Sequence, residues 1–465
     1  MWALRSTEGS NPSLSVLLLL PSARHTTIAV AAATVATLLL AAPAPTYDPW
    51  AWLLWGREIA HGELSTAEGP AFKPLPVMVT ALLTPFGSAA PWLWVLLARA
   101  GAIAALVLAF RVTRDLAGGS VAAGLLAATG VLVTGAFVEF GAAGMSEGLL
   151  LALALGAVQA GRAGRPRLAL ACALACGLIR VEAWPFLLLA AALAWRRRPQ
   201  DRPVYAAAAV VVPALWLIPE LIGSGDLLRS GSRARIPNPG QPALADFPLW
   251  ASLREAVALV PWPLWLGTLA AALTSRRALL PAAAGSAWIL LVAVMAQAGF
   301  SGEARYALPG AALIAISGAA GLALAARWAA RFPHYGGGAA HGAVVAVVLV
   351  ALVVPNAARI ADVRAAQAYQ WRLQHDLEVA IDRTGGRSAV LRCGTPYVGP
   401  LRGPLFAYAL DVPKRTVEPD AAPEPPGAVF RSRLSETSEP EPATVPAAFG
   451  FVARAGQWDV FGSCS

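Results

Sequence analysis

The sequence is poor in charge. Only 14% of its 465 residues are charged, whereas an ordinary soluble protein carries about 25%. Hydrophobic residues make up 57% of the chain, and the mean hydropathy is +0.58. Long apolar runs recur between short arginine-bearing stretches from residue 26 to residue 355. A bilayer-spanning helix needs roughly 17 to 25 apolar residues. The composition therefore excludes a soluble enzyme and predicts an integral membrane protein.

The chain has no Gly-Lys-Ser or Gly-Lys-Thr phosphate loop, so no motif indicates a nucleotide substrate. Cysteine is also scarce. Cys172 and Cys176 lie one helical turn apart in an apolar run with no neighbouring histidine, which is typical of helix packing and not of a metal site. Cys393 and Cys464 lie near the C-terminus. We predict that they form a disulfide, because that part of the chain is expected outside the membrane.

The formal net charge of +9 lies entirely in the apolar part of the chain, since residues 356–465 carry equal numbers of acidic and basic side chains. Within residues 1–355 the excess arginines stand in short turns between apolar runs. This pattern is typical of cytoplasmic anchoring and not of a groove that binds nucleic acid.

Placing the arginine clusters on the cytoplasmic side predicts a mainly α polytopic protein with about eleven transmembrane helices, a cytoplasmic N-terminus and an extracytoplasmic C-terminus. We expect residues 1–25 to be a cytoplasmic tail, 26–355 a transmembrane domain with a long first outside loop at 44–90, and 356–465 a small α/β domain. The expected spans are about 26–43, 91–110, 120–137, 147–161, 168–180, 183–195, 204–222, 256–274, 278–299, 306–326 and 341–355.

The C-terminal domain is predicted to begin with an amphipathic helix over Ala357 to Asp382. Strand-like runs follow at Ser388–Cys393, Ala428–Arg431 and Phe449–Phe461. A second outside loop, at 223–255, is rich in Gly, Pro and Ser and is expected to be a mobile flap.

The first outside loop carries the clearest chemical signal. Asp48 stands beside a cluster of tryptophans, where loss of hydration is expected to raise the pKa of its carboxyl group toward the range of a general base. The tryptophans suit either an interfacial belt, which we favour, or the apolar faces of sugars. Lys73 is one of only two lysines against 34 arginines. Its compact charge suits either a bound anionic lipid phosphate or an ordinary lipid headgroup.

Further charges fall near the outer ends of later spans: Glu139, Glu147, Arg180, Glu182, Glu303 and Arg305, with Tyr306 next to the last. Ionisable groups at membrane depth are costly and usually line a polar cavity or pair with each other. One outward-facing cavity would explain why all of them share the side of Asp48. Separate structural ion pairs are the alternative.

At these residues the chain resembles the polytopic GT-C glycosyltransferases that use polyprenyl-phosphate sugars, such as the protein mannosyltransferase and aminoarabinose transferase families. The resemblance covers about residues 26–330. It rests on Asp48, on Arg57-Glu58 and Phe72-Lys73-Pro74, on Ile179-Arg180-Val181-Glu182, and on Glu303-Ala304-Arg305-Tyr306.

The resemblance implies transfer of a sugar from a polyprenyl-phosphate donor to an envelope glycan, lipid or protein acceptor at the plasma membrane, with inversion. Asp48 would be the base and Glu58 a second catalytic residue. The implied substrate-binding residues are Arg57, Lys73, Arg180, Glu182, Arg305 and Tyr306. Many relatives have two adjacent acids where this chain has Asp48-Pro49. The resemblance therefore predicts no definite cofactor and gives only weak support to a divalent metal, although Glu58 or Glu63 could replace the missing acid.

Two other function classes remain open. A transporter or flippase for a lipid-linked solute would use the same cavity, but such proteins show internal repeats and charges at mid-membrane, and neither is evident here. A catalytically inactive relative that acts as a scaffold is also compatible with the single acid in the first loop.

Overall fold

The computed structural model describes residues 23–329, 337–419 and 422–464. The chain is mostly helical, with one small sheet near its C-terminus. The helices as far as residue 234 are α1 (Ala23–Leu40), α2 (Tyr47–His61), α3 (Pro74–Leu83), α4 (Ala90–Leu116), α5 (Val121–Leu132), α6 (Phe137–Ala142), α7 (Glu147–Arg162), α8 (Pro166–Gly177), α9 (Trp184–Arg197), α10 (Arg202–Ser224) and α11 (Arg229–Ala234). The later helices are α12 (Pro248–Ala258), α13 (Trp262–Thr274), α14 (Arg276–Gln297), α15 (Ala304–Ala329), α16 (Gly337–Val353), α17 (Ala357–Arg383), α18 (Arg387–Cys393) and α19 (Gly403–Leu410).

The structure supports a membrane protein but not the count of eleven spans. Within the described ranges, five helical stretches are long and apolar enough to cross a bilayer: Pro74–Leu116, Pro199–Ser224, Arg276–Gln297, Ala304–Ala329 and Val345–Arg383. The expected single span at 256–274 is broken, because α12 and α13 meet at an angle of 94°. Others fall short: α5 and α8 have 12 residues each, or about 18 Å at 1.5 Å per residue.

The membrane part is organised around α15, which packs closely against α13 and α14. Glycines make this approach possible. A Cβ atom on Gly318 would lie 2.2 Å from the carbonyl oxygen of Leu264, and one on Gly321 would lie 1.9 Å from that of Gly267. Small residues at such crossings let two helix backbones come into contact, which is the usual way that helices associate in a bilayer.

The tryptophans of α2 are buried, so the prediction of an interfacial belt was wrong. Trp50, Trp52 and Trp55 are 7%, 0% and 1% exposed. They belong to one hydrophobic core with residues of the C-terminal domain, among them Leu373 and Trp458. The segment that holds α2 and the C-terminal domain therefore fold against each other, and this shared core fixes the position of α2.

The C-terminal domain combines the long helix α17 with a mixed sheet. Its strands are β1 (Thr395–Val398), β2 (Gly427–Arg433), β3 (Pro440–Glu441), β4 (Gly450–Ala455) and β5 (Trp458–Ser463). The order is β1-β2-β5-β4, with β1 parallel to β2 and the other neighbours antiparallel. The short strand β3 pairs with β2 outside this path.

One predicted strand is a helix. Residues 388–393 lie in α18, and the strand begins only at Thr395, after Gly394 at φ 127°. Cys393, the last residue of α18, is joined by a disulfide to Cys464, which follows β5. The two cysteines that the sequence singled out therefore tie the end of the chain to the start of the sheet.

Candidate functional site

Asp48 lies in the first turn of α2 and is 7% exposed. Two cations contact the same carboxylate oxygen, Oδ2. Nη1 of Arg305, from the start of α15, is 3.1 Å away, and Nζ of Lys73, from the residue before α3, is 3.9 Å away. Nε of Arg305 also lies 3.0 Å from Glu303. Three segments that are distant in sequence thus meet at one carboxylate.

The pKa of Asp48 is shifted in the direction opposite to the expected one. Burial alone would raise the pKa, but the charges of Arg305, Lys73 and Arg180 outweigh it, and the net pKa is lowered. The prediction was wrong because it took account of the loss of hydration, which raises the pKa, but not of the nearby cations from later segments, which lower it. In this state Asp48 is a stable anion with neighbouring positive charge.

Lys73 is 7% exposed, and its Nζ atom has no hydrogen-bond partner among the described residues. It lies 4.8 Å from the ring centre of Trp52. Burial, followed by the charge of Arg180, lowers the pKa of Lys73 to about 8. A buried ammonium that lacks a hydrogen bond is costly, so this group is suited to an anion that enters from outside the protein.

A polar network holds the backbone next to Lys73. The backbone N–H of Phe72 donates to Oγ of Ser230 at 2.7 Å, and Ser230 contacts the fully buried carboxylate of Glu220. Arg229 donates to the carbonyl oxygens of Pro70 and Gly69 at 2.7 and 2.8 Å. The segment 223–255 was expected to be a mobile flap, but this part of it is anchored.

Arg180 forms a second buried cluster. It stands in extended backbone between α8 and a short 3-10 helix at Val181–Ala183. Its Nη2 lies 2.6 Å from Glu147 and its Nη1 lies 3.5 Å from Glu182, and all three residues are less than 7% exposed. The guanidinium is 4.1 Å from the ring centre of Tyr306, whose hydroxyl lies 3.4 Å from Arg305. Tyr306 therefore links this cluster to the Asp48 cluster.

Two cavities meet at these clusters. The basic cavity, of about 240 Å³, is lined by Lys73, Arg180, Glu182, Trp184, Ser230 and Tyr306 together with apolar residues. The acidic cavity, of about 360 Å³, is lined by Tyr47, Asp48, Glu139, Phe140, Arg305, Gln367 and Gln370 together with other residues. The Asp48–Arg305 pair borders the acidic cavity, and Lys73 and Tyr306 border the basic one.

A third cavity, of about 690 Å³, is almost entirely apolar and lies between α7, α8, α9 and α10. Trp184 lines both this apolar cavity and the basic cavity, so the two adjoin. The charged basic cavity therefore lies beside an apolar cavity that suits a hydrocarbon chain.

Two predicted site residues lie elsewhere. Arg57 pairs with Asp411 at 2.8 Å and stacks 4.6 Å from the ring centre of Tyr408, both in the C-terminal domain. The Glu58 carboxylate accepts the backbone N–H of Ser65 at 2.9 Å. Burial raises the pKa of Glu58 to about 7. The contacts of Arg57 hold the first loop against the C-terminal domain, and the bond between Glu58 and Ser65 lies within the loop.

The residues provide no evident metal site. No group of three or more His, Cys, Asp or Glu side chains with ligand geometry occurs in the part of the chain that the structure describes. Asp48 and Glu147 each contact a cation already. Because these carboxylates are paired with arginines, the donor set does not fit a divalent metal.

Some features of the site were missed from the sequence. Gln367 and Gln370 lie in α17, and no local sequence pattern predicts that this helix forms a wall of the acidic cavity. The sequence contains a weak indication that Glu220 belongs to the site, because it is an acidic residue within an apolar run.

The fold matches crystal structures of ArnT from Cupriavidus metallidurans. The structure bound to undecaprenyl phosphate aligns with a TM-score of 0.53 at 14% identity, covering 96% of this chain and 99% of ArnT. The apo structure aligns with a TM-score of 0.55 at 15% identity, covering 95% and 98%. No protein-family model and no curated protein sequence matches the chain. The chain therefore has the fold of ArnT, a GT-C glycosyltransferase.

Proposed function

We propose that this protein is a membrane glycosyltransferase that moves a sugar from a polyprenyl-phosphate donor to the hydroxyl group of an envelope acceptor, with inversion. The observation that carries the proposal is the position of Asp48: it lines the acidic cavity together with Arg305, and its carboxylate also contacts Lys73, which lines the basic cavity. The fold of a protein that binds undecaprenyl phosphate supports the same donor class.

The donor phosphate would bind in the basic cavity. Lys73 supplies an ammonium without a hydrogen-bond partner among the described residues, and Arg180 lines the same cavity. Arg305 would supply a second guanidinium from the acidic cavity, where it contacts Asp48. The polyprenyl chain would occupy the apolar cavity that adjoins at Trp184. Preorganised cations of this kind stabilise charge that develops on a leaving phosphate.

The reaction requires one bond to form and one to break. The acceptor oxygen attacks the anomeric carbon from the side of the acidic cavity, and the bond from that carbon to the phosphate oxygen breaks on the other side. The hydroxyl proton goes to Asp48 and then to solvent, while polyprenyl phosphate leaves with a second negative charge. Attack from one side of the anomeric carbon with departure on the other inverts its configuration.

The proposed enzyme lies in the plasma membrane with its N-terminus in the cytoplasm, its C-terminus outside, and its catalytic face outside. This topology retains the eleven expected spans, some of them shorter than a full crossing. The clustering of Asp48, Lys73, Arg180 and Arg305 supports it, because the arginine pattern assigns all four to the outer side. Residues 1–22 of the expected cytoplasmic tail lie outside the described residues.

The test is transfer by the purified protein in lipid nanodiscs. Radiolabelled polyprenyl-phosphate sugars are supplied with envelope glycan, lipid and protein acceptors, and the wild type is compared with Asp48→Asn. We expect the variant to lose activity by about 10²- to 10⁴-fold, the usual contribution of a general base, while it still binds the donor. Glu436→Gln, at an exposed ion pair of the C-terminal domain, is the control.

The outcomes separate the function classes. Wild-type transfer that survives Asp48→Asn would overturn the assigned base. Tight donor binding without transfer or donor hydrolysis, across the whole acceptor panel, would favour an inactive scaffold. Donor movement between leaflets of sealed vesicles without transfer would favour a flippase.

A further inference from the structure

We infer that the acidic cavity is the acceptor site and that it takes an uncharged sugar hydroxyl rather than a phosphorylated acceptor. This inference rests on the proposed function and adds the acceptor class. The cavity has about 360 Å³ of space, within the range of roughly 300 to 1,000 Å³ typical of small-molecule sites.

The cations around the acidic cavity are already used. Arg305 contacts both Asp48 and Glu303. Arg359, in the first turn of α17, contacts Glu139 at 2.7 Å from behind the cavity wall. Among the lining residues that the structure describes, the charged groups are two carboxylates and one guanidinium. A phosphate entering this cavity would therefore lie close to two acids, and the one cation in the described lining already contacts two carboxylates.

The amides of the cavity wall are also engaged. Gln370 accepts from Arg402 and donates to the carbonyl oxygen of Leu434, each at 3.1 Å. The Gln367 amide nitrogen, in its satisfied orientation, donates to the carbonyl oxygens of Ala42 and Ala44. These contacts fix α17 over the cavity and leave few amide groups for a ligand.

Two carboxylate oxygens remain for the ligand. Both cations of Asp48 contact its Oδ2, so its Oδ1 is the oxygen available to take the hydroxyl proton. Arg359 contacts Oε1 of Glu139, and the buried Oε2 has no hydrogen-bond partner in the described chain. These two carboxylate oxygens can only accept hydrogen bonds, so they suit a ligand that presents hydroxyl donors.

The rings of Tyr47 and Phe140 line the same cavity. Aromatic rings contact the apolar faces of sugars, while the hydroxyl edges reach polar partners. A neutral sugar meets both conditions, because its hydroxyl groups can donate to the two carboxylates while its apolar face contacts the two rings. Glu139 is then an acceptor-binding residue that selects against anionic acceptors, because a second negative charge nearby is repelled.

The test uses paired acceptors that differ by one phosphate. Octyl glycosides of mannose, galactose, glucose and arabinose are compared with their primary-hydroxyl phosphate esters, in nanodiscs with a radiolabelled polyprenyl-phosphate sugar. We expect kcat/KM at least tenfold higher for an uncharged member of the panel than for its ester, because the added phosphate charge would lie near two carboxylates whose arginines are already paired. Donor hydrolysis in the absence of acceptor is measured in parallel.

The variant Glu139→Gln tests whether Glu139 binds the acceptor. We expect it to raise the KM for the uncharged acceptor at least threefold and to narrow the discrimination against the ester. Glu436→Gln, at an exposed ion pair of the C-terminal domain, should change neither quantity. Equal or better use of the phosphate esters, or an unchanged acceptor KM in Glu139→Gln, overturns this inference alone. Donor hydrolysis with no transfer to any member of either set also overturns it. Absence of both donor binding and donor hydrolysis would overturn the proposed function, and the acceptor assignment with it.

Discussion

Replacing Lys73 by methionine should weaken donor binding while making the protein more stable. The structure sets the size of both effects. The pKa of Lys73 is about 8 against an ordinary value of 10.5. Since one pKa unit is about 1.4 kcal/mol, burying the charged ammonium costs about 3 kcal/mol near neutral pH. Methionine fills similar space without a charge. This pKa already includes the attraction of Glu147 and Asp48 for the ammonium, so we expect a net gain of up to about 3 kcal/mol.

The loss in binding follows from the same ammonium. A charge-assisted hydrogen bond to phosphate contributes about 1.5 to 3 kcal/mol, so the Kd for undecaprenyl phosphate should rise about 10- to 100-fold in Lys73→Met. Binding is measured with radiolabelled undecaprenyl phosphate in nanodiscs, and stability by the Tm of the same samples. Lys73→Arg, which keeps the charge, is the matched control.

The stability difference between Lys73→Met and the wild type depends on pH. The folded pKa of Lys73 is lowered, so the unfolded chain binds more protons between about pH 8 and 10.5. The destabilisation by Lys73 is therefore complete below about pH 8 and disappears as the pH approaches 10.5. The Tm difference between Lys73→Met and the wild type should shrink over this interval. A variant with unchanged Kd, or with a lower Tm than the wild type at pH 7, would refute the reasoning.

Three further predictions follow from the structure. Wild-type affinity for undecaprenyl phosphate should fall as the pH rises above about 8, where free Lys73 loses its proton, whereas Lys73→Arg should show no such fall between pH 8 and 9.5. Arg180→Ala should destabilise the protein by about 3 to 5 kcal/mol, seen as a lower Tm, because it leaves the buried carboxylate of Glu147 without its guanidinium; an unchanged Tm would contradict that role. Replacing Cys393 and Cys464 by serine should destabilise the C-terminal domain by about 4 kcal/mol, since the disulfide closes a loop with a sequence separation of 71; unchanged protease resistance of that domain would argue against it.

The sequence identified the charged residues of the site better than their surroundings. Asp48, Lys73, Arg180 and Arg305 could be selected because charge is rare in this chain and costly near a membrane. Their grouping could be predicted because the arginine clusters, placed on the cytoplasmic side, assign all four residues to the outer side of the membrane. The direction of the Asp48 pKa shift could not be predicted, because it depends on distances between segments that lie up to 257 residues apart.

Helix boundaries were predicted less well where the membrane does not impose full-length spans. The bent pair α12 and α13 and the 12-residue helix α5 pack against α15, and the 12-residue helix α8 packs against α7. Hydropathy alone does not encode these contacts. The tryptophans of α2 were misassigned for a similar reason. Their burial depends on a C-terminal domain that folds back over the first loop, a contact between residues more than 300 positions apart.

The ion pair between Asp48 and Arg305 bears on when the base can act. A carboxylate with a lowered pKa is a weak base, so the free protein is poorly prepared to take a proton. In the proposed mechanism the donor phosphate competes for Arg305 and Lys73, and removing their charge from Asp48 raises its pKa. The competition strengthens as the leaving phosphate gains its second negative charge. The strength of the base then depends on the basic cavity being occupied, which links proton removal in one cavity to bond cleavage in the other.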